Sequence, residues 1–303
     1  MTRFSNINML LAFVTVAREG SVSRAASVLN LTQPAISHQI KRLGEETGIS
    51  LFKRTSIGLQ ITPDGQAMLK KAELVLDAMD EFRRSARKRA GRVGGKLRIG
   101  TIVDPEFIRL GRMLSQMRTD YPDIETELVH GVSGEMLTRV CRNQIDAGFY
   151  LSGPDVDGDI AAISSEEIHA IKLADFNYRV IAPVGWEKEV ANADWTTLAK
   201  LPWIGTTDAS VHSRLLKRIF DQYDCTQNCV ARVDQEASML EMVRSGVGLS
   251  LCRDSIALHE KQTFGLAVCN TVSIPACLSL ITTERRKELP MISALFEVLE
   301  ATW

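Results

Sequence analysis

Residues 20–62, GSVSRAASVLNLTQPAISHQIKRLGEETGISLFKRTSIGLQIT, constrain this chain more than any other stretch. Ser21 can cap a helix whose inward face is Val22, Ala25, Ala26 and Leu29, and the two alanines let a second helix approach closely. Asn30 and Leu31 leave room only for a tight turn. Thr32 then caps the next helix, with Pro34 in its first turn, where a missing N–H has no partner to lose. In that helix Ile36, Ile40 and Leu43 share one side and face inward. Gln33, Ser37 and Lys41 follow at four-residue spacing on another side, flanked by His38 and Arg42. The stretch carrying Lys53 and Arg54 returns as a hairpin that ends near Thr62.

Two short helices, a tight turn and a hairpin are the layout of a winged helix-turn-helix, so duplex DNA is the expected partner. A helix that gathers Gln, Ser, His, Lys and Arg suits a major groove: amides and hydroxyls read base edges while cations meet phosphates. The bland alternative is an ordinary solvated face. The small-residue helix before it and the hairpin after it favour DNA. Charge agrees once the chain is divided. The net charge is −1, but residues 1–96 hold 16 Lys/Arg against 8 Asp/Glu (+8), and residues 97–303 hold 20 against 29 (−9). A basic head on an acidic body is expected when one part meets phosphate and the other repels it. A length of 303 residues fits a short reader plus a larger body.

The pattern AAxxLxxTQPAxSxQIxxL, followed by GxxLFxR and LTxxG, is met by Ala25, Ala26, Leu29, Thr32, Gln33, Pro34, Ala35, Ser37, Gln39, Ile40, Leu43, Gly48, Leu51, Phe52, Arg54, Thr62 and Gly65. On these residues the chain resembles the LysR-type transcriptional regulators, and the looser likeness extends over essentially its whole length. The resemblance implies a multidomain α+β and α/β protein. Residues 1–62 form the winged helix-turn-helix, 63–90 a dimerisation linker helix, 91–96 a hinge and 97–303 a two-lobed α/β effector domain similar to periplasmic solute-binding proteins. It implies DNA contacts from Thr32, Gln33, Pro34, Ser37, His38, Lys41, Arg42, Lys53 and Arg54. Its implied partners are a promoter operator, a small-molecule effector, and further copies of the chain as a homodimer and tetramer, with RNA polymerase a further candidate. Two positions depart from the family. Gly44 stands where Glu is usual, so the recognition helix is expected to fray or end there. Ile57 stands where the wing often carries an Arg, which leaves Lys53 and Arg54 to phosphate contacts.

Between residues 63 and 90 no proline interrupts the chain after the first position. Met68, Ala72, Val75, Met79, Phe82 and Ala86 recur at steps of four, three, four, three and four. That is a heptad seam, the pattern for two helices lying side by side; packing against its own domain is the alternative. The resemblance implies dimerisation. The basic cluster Arg83, Arg84, Arg87, Lys88 and Arg89 reads as a solvated face, and GRVGGK marks the hinge.

Beyond the hinge, strands and helices alternate. Strands are expected at 96–102, 124–130, 146–151, from 176, at 202–206, 230–234 and 248–252, and in ACLSLITT. Helices are expected at 105–118, 133–143, 211–223 and 237–245 and at the C-terminus. Repeated β-α-β implies a parallel sheet with helices on both faces. The resemblance, not the periodicity, implies that residues 265–303 return to a first lobe made of 97–172, leaving 173–264 as the second. Ligands of such sheets collect at strand-to-helix turns. The polar residues there are Thr101, Asp104, Ser133, Tyr150, Ser152, Thr206, Thr207, Asp208 and Glu236, the last read as a helix cap. By position they correspond to the family's effector-contacting turns. Many relatives bind carboxylates, but Asp104, Asp208 and Glu236 add negative charge and point to a cationic or hydroxyl-rich effector.

Six cysteines, Cys141, Cys225, Cys229, Cys252, Cys269 and Cys277, are scattered, and only Cys225 and Cys229 are close. A redox-responsive regulator using that pair is an alternative reading. The family has a peroxide-sensing branch, but it places its pair earlier, around the helix expected from Val211. No second Cys pair or nearby His completes a zinc set, so neither metal nor cofactor is expected. An enzyme or a solute-binding protein on the same fold is the competing class. The chain has no GxxxxGK[ST], GxSxG or HExxH motif, and His38, His130, His169, His212 and His259 lie far apart. A solute-binding protein would have no use for residues 1–62. The apolar run at 9–16 is short, followed by Arg18 and Glu19, and reads as a first helix packing Leu10, Phe13, Val14 and Ala17 inward, so a cytoplasmic location is expected.

Overall fold

A computed structural model describes residues 7–55, 58–89, 93–102 and 104–303. Ile57, residues 90–92 of the expected linker and hinge, and the side chains of Arg54, Ala86, Arg83, Arg84, Arg87, Lys88 and Arg89 lie outside the described residues. The chain divides into two compact units, residues 1–92 and 93–303.

The first unit contains α1 (Ile7–Glu19), α2 (Val22–Val28), α3 (Gln33–Thr47), β1 (Phe52–Thr55), β2 (Gly58–Ile61) and α4 (Pro63–Arg89). The Ser21 hydroxyl accepts from the Arg24 amide at 3.4 Å, and that of Thr32 from the Ala35 amide at 3.4 Å. Each satisfies one of the amides that a helix start leaves open. Asn30 turns the chain between them at φ 53°, a left-handed conformation that Asn tolerates. The helix α3 does not end at Gly44. It runs on to Thr47 and stops at Gly48, where φ is 69°. The Gly44 carbonyl takes the amide of Ile49 at 3.1 Å, and a Cβ on Gly44 would come within 3.0 Å of the Ile49 carbonyl. Gly44 thus makes room for the helix end to fold back rather than ending the helix. Two apolar clusters meet on α1. Met9, Leu10, Phe13 and Val14 join Leu43, Leu51 and Ala72, while Ala12 and Val16 join Ala25, Ala26 and Ile36. Ala17 is only half-buried, so Met9, Ala12 and Val16 do more of the inward packing than the sequence suggested. Strands β1 and β2 pair antiparallel, Phe52 opposite Ile61.

The second unit continues with β3 (Gly95–Thr101), α5 (Leu110–Asp120), β4 (Ile124–His130), α6 (Ser133–Cys141), β5 (Ala147–Ser152), α7 (Val156–Ala161) and β6 (Ile168–Ala182). Next come α8 (Glu187–Val190), α9 (Trp195–Lys200), β7 (Trp203–Gly205), α10 (Val211–Gln222), β8 (Cys229–Arg232), α11 (Glu236–Arg244) and β9 (Ser250–Arg253). The chain closes through α12 (Asp254–Phe264), β10 (Ala267–Val268), β11 (Ile274–Thr283) and α13 (Pro290–Thr302). Helix α5 starts at Leu110, not at 105, because Arg109 at φ 49° breaks the path before it.

The main sheet is mixed, not parallel. Its order is β10-β6-β11-β5-β3-β4, with β9 also on β6. Only β3 pairs parallel, with β4 and β5; β11 runs antiparallel between β5 and β6. Strands β7 and β8 form a separate parallel pair. Two lobes share β6 and β11. One core holds Leu97, Ile99, Phe149, Leu278, Leu280 and Leu295; the other holds Tyr178, Val180, Trp203, Phe220, Ile274 and Ala276. The expected lobe boundaries therefore shift. Strand β6 begins at Ile168 rather than 176, and residues 266–276 pack in the second lobe, so the chain returns to the first only within β11. At that crossing the β6–β11 register slips by one residue, Leu278 facing Ala174 and Ser279 facing Lys172.

Buried Asp146 ties the first lobe together. It accepts from the Arg98 amide at 2.7 Å, from the Arg98 guanidinium at 3.1 Å and from Arg286 at 2.5 Å. Burial pushes the Asp146 carboxyl up, but the Arg286 and Arg98 charges outweigh it and hold the group below its ordinary value.

Candidate nucleic-acid face and inter-lobe cleft

On α3 the apolar side is buried at Ile36 and Leu43, and Thr32, Gln33, Pro34, Ser37, His38, Lys41 and Arg42 are all exposed. Lys41 lies 3.7 Å from Glu45 and Arg42 3.2 Å from Glu46, both one turn on. An exposed pair such as Lys41–Glu45 contributes only about 0.3–0.5 kcal/mol, so Lys41 can be drawn to phosphate at little expense. Lys53 is exposed on β1.

The seam on α4 is split between two tasks. Met68 is half-buried against the head's own core and Ala72 is 2% exposed within it, which corrects the reading of Ala72 as part of an open seam. Past that point, Val75 is exposed, Met79 half-buried and Phe82 75% exposed. A Phe of that exposure is unusual on a soluble helix and marks the open part of the stripe.

In the second unit, a cavity of about 80 Å³ lies between the lobes. Its walls include Ile102, Phe107 and Val132 from the first lobe and Tyr178, Val211 and Met239 around the second. One charged cluster spans it. Asp104, just past β3, accepts from the amides of Glu106 (3.0 Å) and Phe107 (2.9 Å) and forms an ion pair with Arg253 at the end of β9. Arg253 is only 6% exposed; its guanidinium lies 4.0 Å over the Phe107 ring and 3.8 Å from Glu236. Burial pushes Asp104 up, but the Phe107 amide and Arg253 outweigh it and hold it low. Burial pushes Glu236 up; Arg253 opposes this and the Asp104 charge adds to it. His212 packs edge-on against Tyr178 at 4.6 Å, and burial, then the Arg253 charge, push it down to about 4, so it is neutral at pH 7. Further contacts join the lobes: Arg214 donates to the Leu151 carbonyl at 2.9 Å, the Gly134 amide donates to the Ala209 carbonyl at 2.9 Å, and Arg218 pairs with buried Asp159.

Two family profiles cover this architecture. Residues 7–66 match "Bacterial regulatory helix-turn-helix protein, lysR family", and residues 90–303 match "LysR substrate binding domain". This chain belongs to the LysR family. It is a helix-turn-helix transcriptional regulator with a C-terminal effector-binding domain. Among LysR-family relatives, the chain is 27% identical to the HTH-type transcriptional regulator GltR of Bacillus subtilis, over 96% of this chain and 93% of that one. Full-length OxyR from Pseudomonas aeruginosa, with one cysteine changed to aspartate, shares the fold at TM-score 0.67 and 17% identity, covering 98% and 95% of the two chains. Full-length CbnR complexed with its target DNA does so at TM-score 0.57 and 19% identity, covering 99% and 100%. Among the described residues no helix is long and apolar enough to cross a membrane, and no group of three or more His, Cys, Asp or Glu is placed to hold a metal.

In this LysR-family body the expected effector residues fall into three groups. Asp104, Ser133, Thr206 and Glu236 line the cleft. Thr101, Tyr150 and Ser152 are buried and engaged outside the cleft: Thr101 with His130 at 3.2 Å, Tyr150 with its ring in the first lobe's core and its hydroxyl accepting from Arg214 at 3.4 Å, and Ser152 with the Gly153 carbonyl at 2.9 Å. Thr207 and Asp208 are exposed on the turn after β7, Asp208 at 3.7 Å from Arg232. Ser133 uses its hydroxyl to staple α6 to β5, donating to the Leu151 carbonyl and accepting from its amide, both at 2.8 Å. Glu236 does not cap α11. Gln235 holds that position without a side-chain bond, and Glu236 points at Arg253. The sequence reading missed Arg253, His212 and Phe107. A lone Arg closing the apolar strand SLCR was the available signal for the first. Cys225 and Cys229 are free thiols that face separate carbonyls, of Tyr223 at 3.1 Å and Ala231 at 3.2 Å.

Proposed function

We propose that this regulator reads an operator in duplex DNA as a paired chain, and that a small effector in the inter-lobe cleft alters that activity. The observation that carries the reading is the division of α3, with Ile36 and Leu43 buried and Gln33, Ser37, His38, Lys41 and Arg42 exposed together. In this reading Gln33 and Ser37 meet base edges with His38 beside them, Thr32 and Pro34 set the helix entry, and Lys41, Arg42, Lys53 and Arg54 hold phosphates. The target DNA named for CbnR, whose fold this chain shares, supports it. Pairing through Val75, Met79 and Phe82 presents two such helices to half-sites about 10 base pairs apart. Association of two dimers into a tetramer, contact with RNA polymerase, a cytoplasmic location and the absence of catalysis complete the proposal.

The cleft's chemistry favours a cationic or hydroxyl-rich effector. Among the described lining residues Arg253 is the one cation, against Asp104, Asp234 and Glu236, and it is already bound by Asp104. A carboxylate meets no unengaged cation there. An amine pairs with Glu236 and competes with Arg253 for Asp104, which loosens a contact between the lobes. Its influence is limited by how differently it binds the two lobe arrangements.

Gel shifts at fixed salt, operator against scrambled duplex, test the DNA reading: preference for the operator is expected and Gln33→Ala should lose it. Equal affinity of the unmodified protein for both duplexes would overturn it. Calorimetric titration with alkylamines and dicarboxylates tests the effector class, and tight dicarboxylate binding counts against it.

A further inference from the structure

The side chain of Asp104 is held in the cleft in the way a bound acid is held. Its Oδ1 accepts from the amides of Glu106 at 3.0 Å and Phe107 at 2.9 Å, and its Oδ2 pairs with the Arg253 guanidinium of the other lobe. Both oxygens are engaged, one by neutral donors and one by a charge-assisted bond, the stronger kind. Burial pushes the Asp104 carboxyl up, but the Phe107 amide and Arg253 outweigh it, so at pH 7 the group is an anion, like a small carboxylic acid in solution.

The two partners differ in access. The Asp104 side chain is 27% exposed and that of Arg253 only 7%. Among the described lining residues Arg253 is the one cation, and Glu236 stays 3.8 Å from it, beyond hydrogen-bond reach. An acid that enters the intact cleft brings a fourth carboxylate, after Asp104, Asp234 and Glu236, to a cation whose hydrogen-bonding partner is already in place. Without the Asp104 carboxyl, a nearly buried guanidinium and two amides converge with no anion between them. A buried charge stripped of its partner is strongly unfavourable, so that arrangement draws in a replacement anion.

We propose that Asp104 is a specificity-determining residue of the cleft: a carboxylate tethered to the chain that fills the donor set of Arg253, Glu106 and Phe107 and so turns small carboxylic acids away. The inference rests on the reading of the cleft as the effector's site and adds the residue that sets which class of ligand it refuses. It also makes the exclusion reversible by a single substitution, because the donors belong to other residues and remain when the carboxyl is removed.

The test uses the full chain and sodium formate, whose atoms replace those that Asp104→Ala removes, with sodium chloride at equal ionic strength as the control. In calorimetry Asp104→Ala should bind formate at least about tenfold more tightly than the native protein, and formate should raise its melting midpoint where chloride does not. Crystals of the variant should show formate on Arg253 and on the amides of Glu106 and Phe107. If circular dichroism finds Asp104→Ala unfolded, formate and not chloride should restore its folded signal, and Asp104→Ser, whose hydroxyl still caps the turn amides, takes its place in the titration. The proposal is overturned if native and variant bind formate alike, if neither variant responds to formate, or if formate is found only away from Arg253. Alkylamine titration of the native chain is a separate arm: its failure would end the cationic-effector reading and leave the role of Asp104 standing.

Discussion

The DNA-reading head and the effector body hold their polar groups in opposite ways. On α3 Gln33, Ser37, His38, Lys41 and Arg42 are exposed, the two cations each beside a carboxylate one turn away. In the cleft three of the charges lean on one another: Asp104 holds Arg253, and Arg253 lies beside Glu236. Recognition on the head is therefore separable from stability. In the cleft the same contacts join the lobes and shape the site, so altering one alters both.

The strongest test of that contrast is Asp104→Ala. It leaves a buried guanidinium with only Glu236, at 3.8 Å, and should lower the stability of the body by about 3 kcal/mol in a urea melt. An unchanged midpoint would break the comparison. Next comes Phe82→Ser, which removes the most exposed apolar side chain of α4 from the proposed pairing stripe. Association measured by sedimentation should weaken by about 1.5–3 kcal/mol per chain, with head stability unchanged. Gln33→Ala should lose about 1–3 kcal/mol of operator preference in a gel shift and leave the melt within about 0.5 kcal/mol.

The pH dependence sharpens the picture within the cleft. Asp104, held below its ordinary value, adds stability that is complete above the usual carboxyl range and is lost as pH falls from about 4 through that lowered value. Glu236 behaves in the opposite sense. Its raised value makes the folded state weaker as pH climbs from about 4 through that value, so Glu236→Gln should raise stability at pH 7, by under about 1 kcal/mol, and remove that drift from a series of melts. The smallest effect belongs to Lys41→Ala, which should reduce the salt slope of DNA binding by about 1 and weaken all sequences alike.

The head was legible because its signals are local. Ser21, Asn30, Thr32 and Pro34 specify two helices and a turn within fourteen positions, and the structure uses each as read. The Gly44 expectation failed because helix propensity was weighed without the chain that folds back over it. In the body the strand start at Ile124 and the helix starts at Ser133 and Val211 were visible in the pattern of apolar residues, and β3 begins at Gly95, one residue before the expected start. The cleft was not. Its central pair joins positions 104 and 253, and no spacing rule brings those together. Polar residues at strand ends were candidates on equal terms, yet Ser152 turns to the Gly153 carbonyl and Tyr150 to Arg214, while Asp104 and Glu236 turn toward Arg253. The heptad on α4 showed a stripe but could not reveal that the head's own core claims Ala72.

The two strands common to both lobes, β6 and β11, lie side by side and unbroken across the boundary, and their one register slip falls at the crossing. A pair of bonded ribbons resists bending out of its plane far less than it resists being pulled apart. A reorientation of the lobes that keeps the ladder paired would therefore flex this ribbon, most easily where the ladder is already irregular. Such a reorientation would load the ribbon like a short torsion bar, and stiffening it near Leu173 would damp the swing while leaving both ends intact.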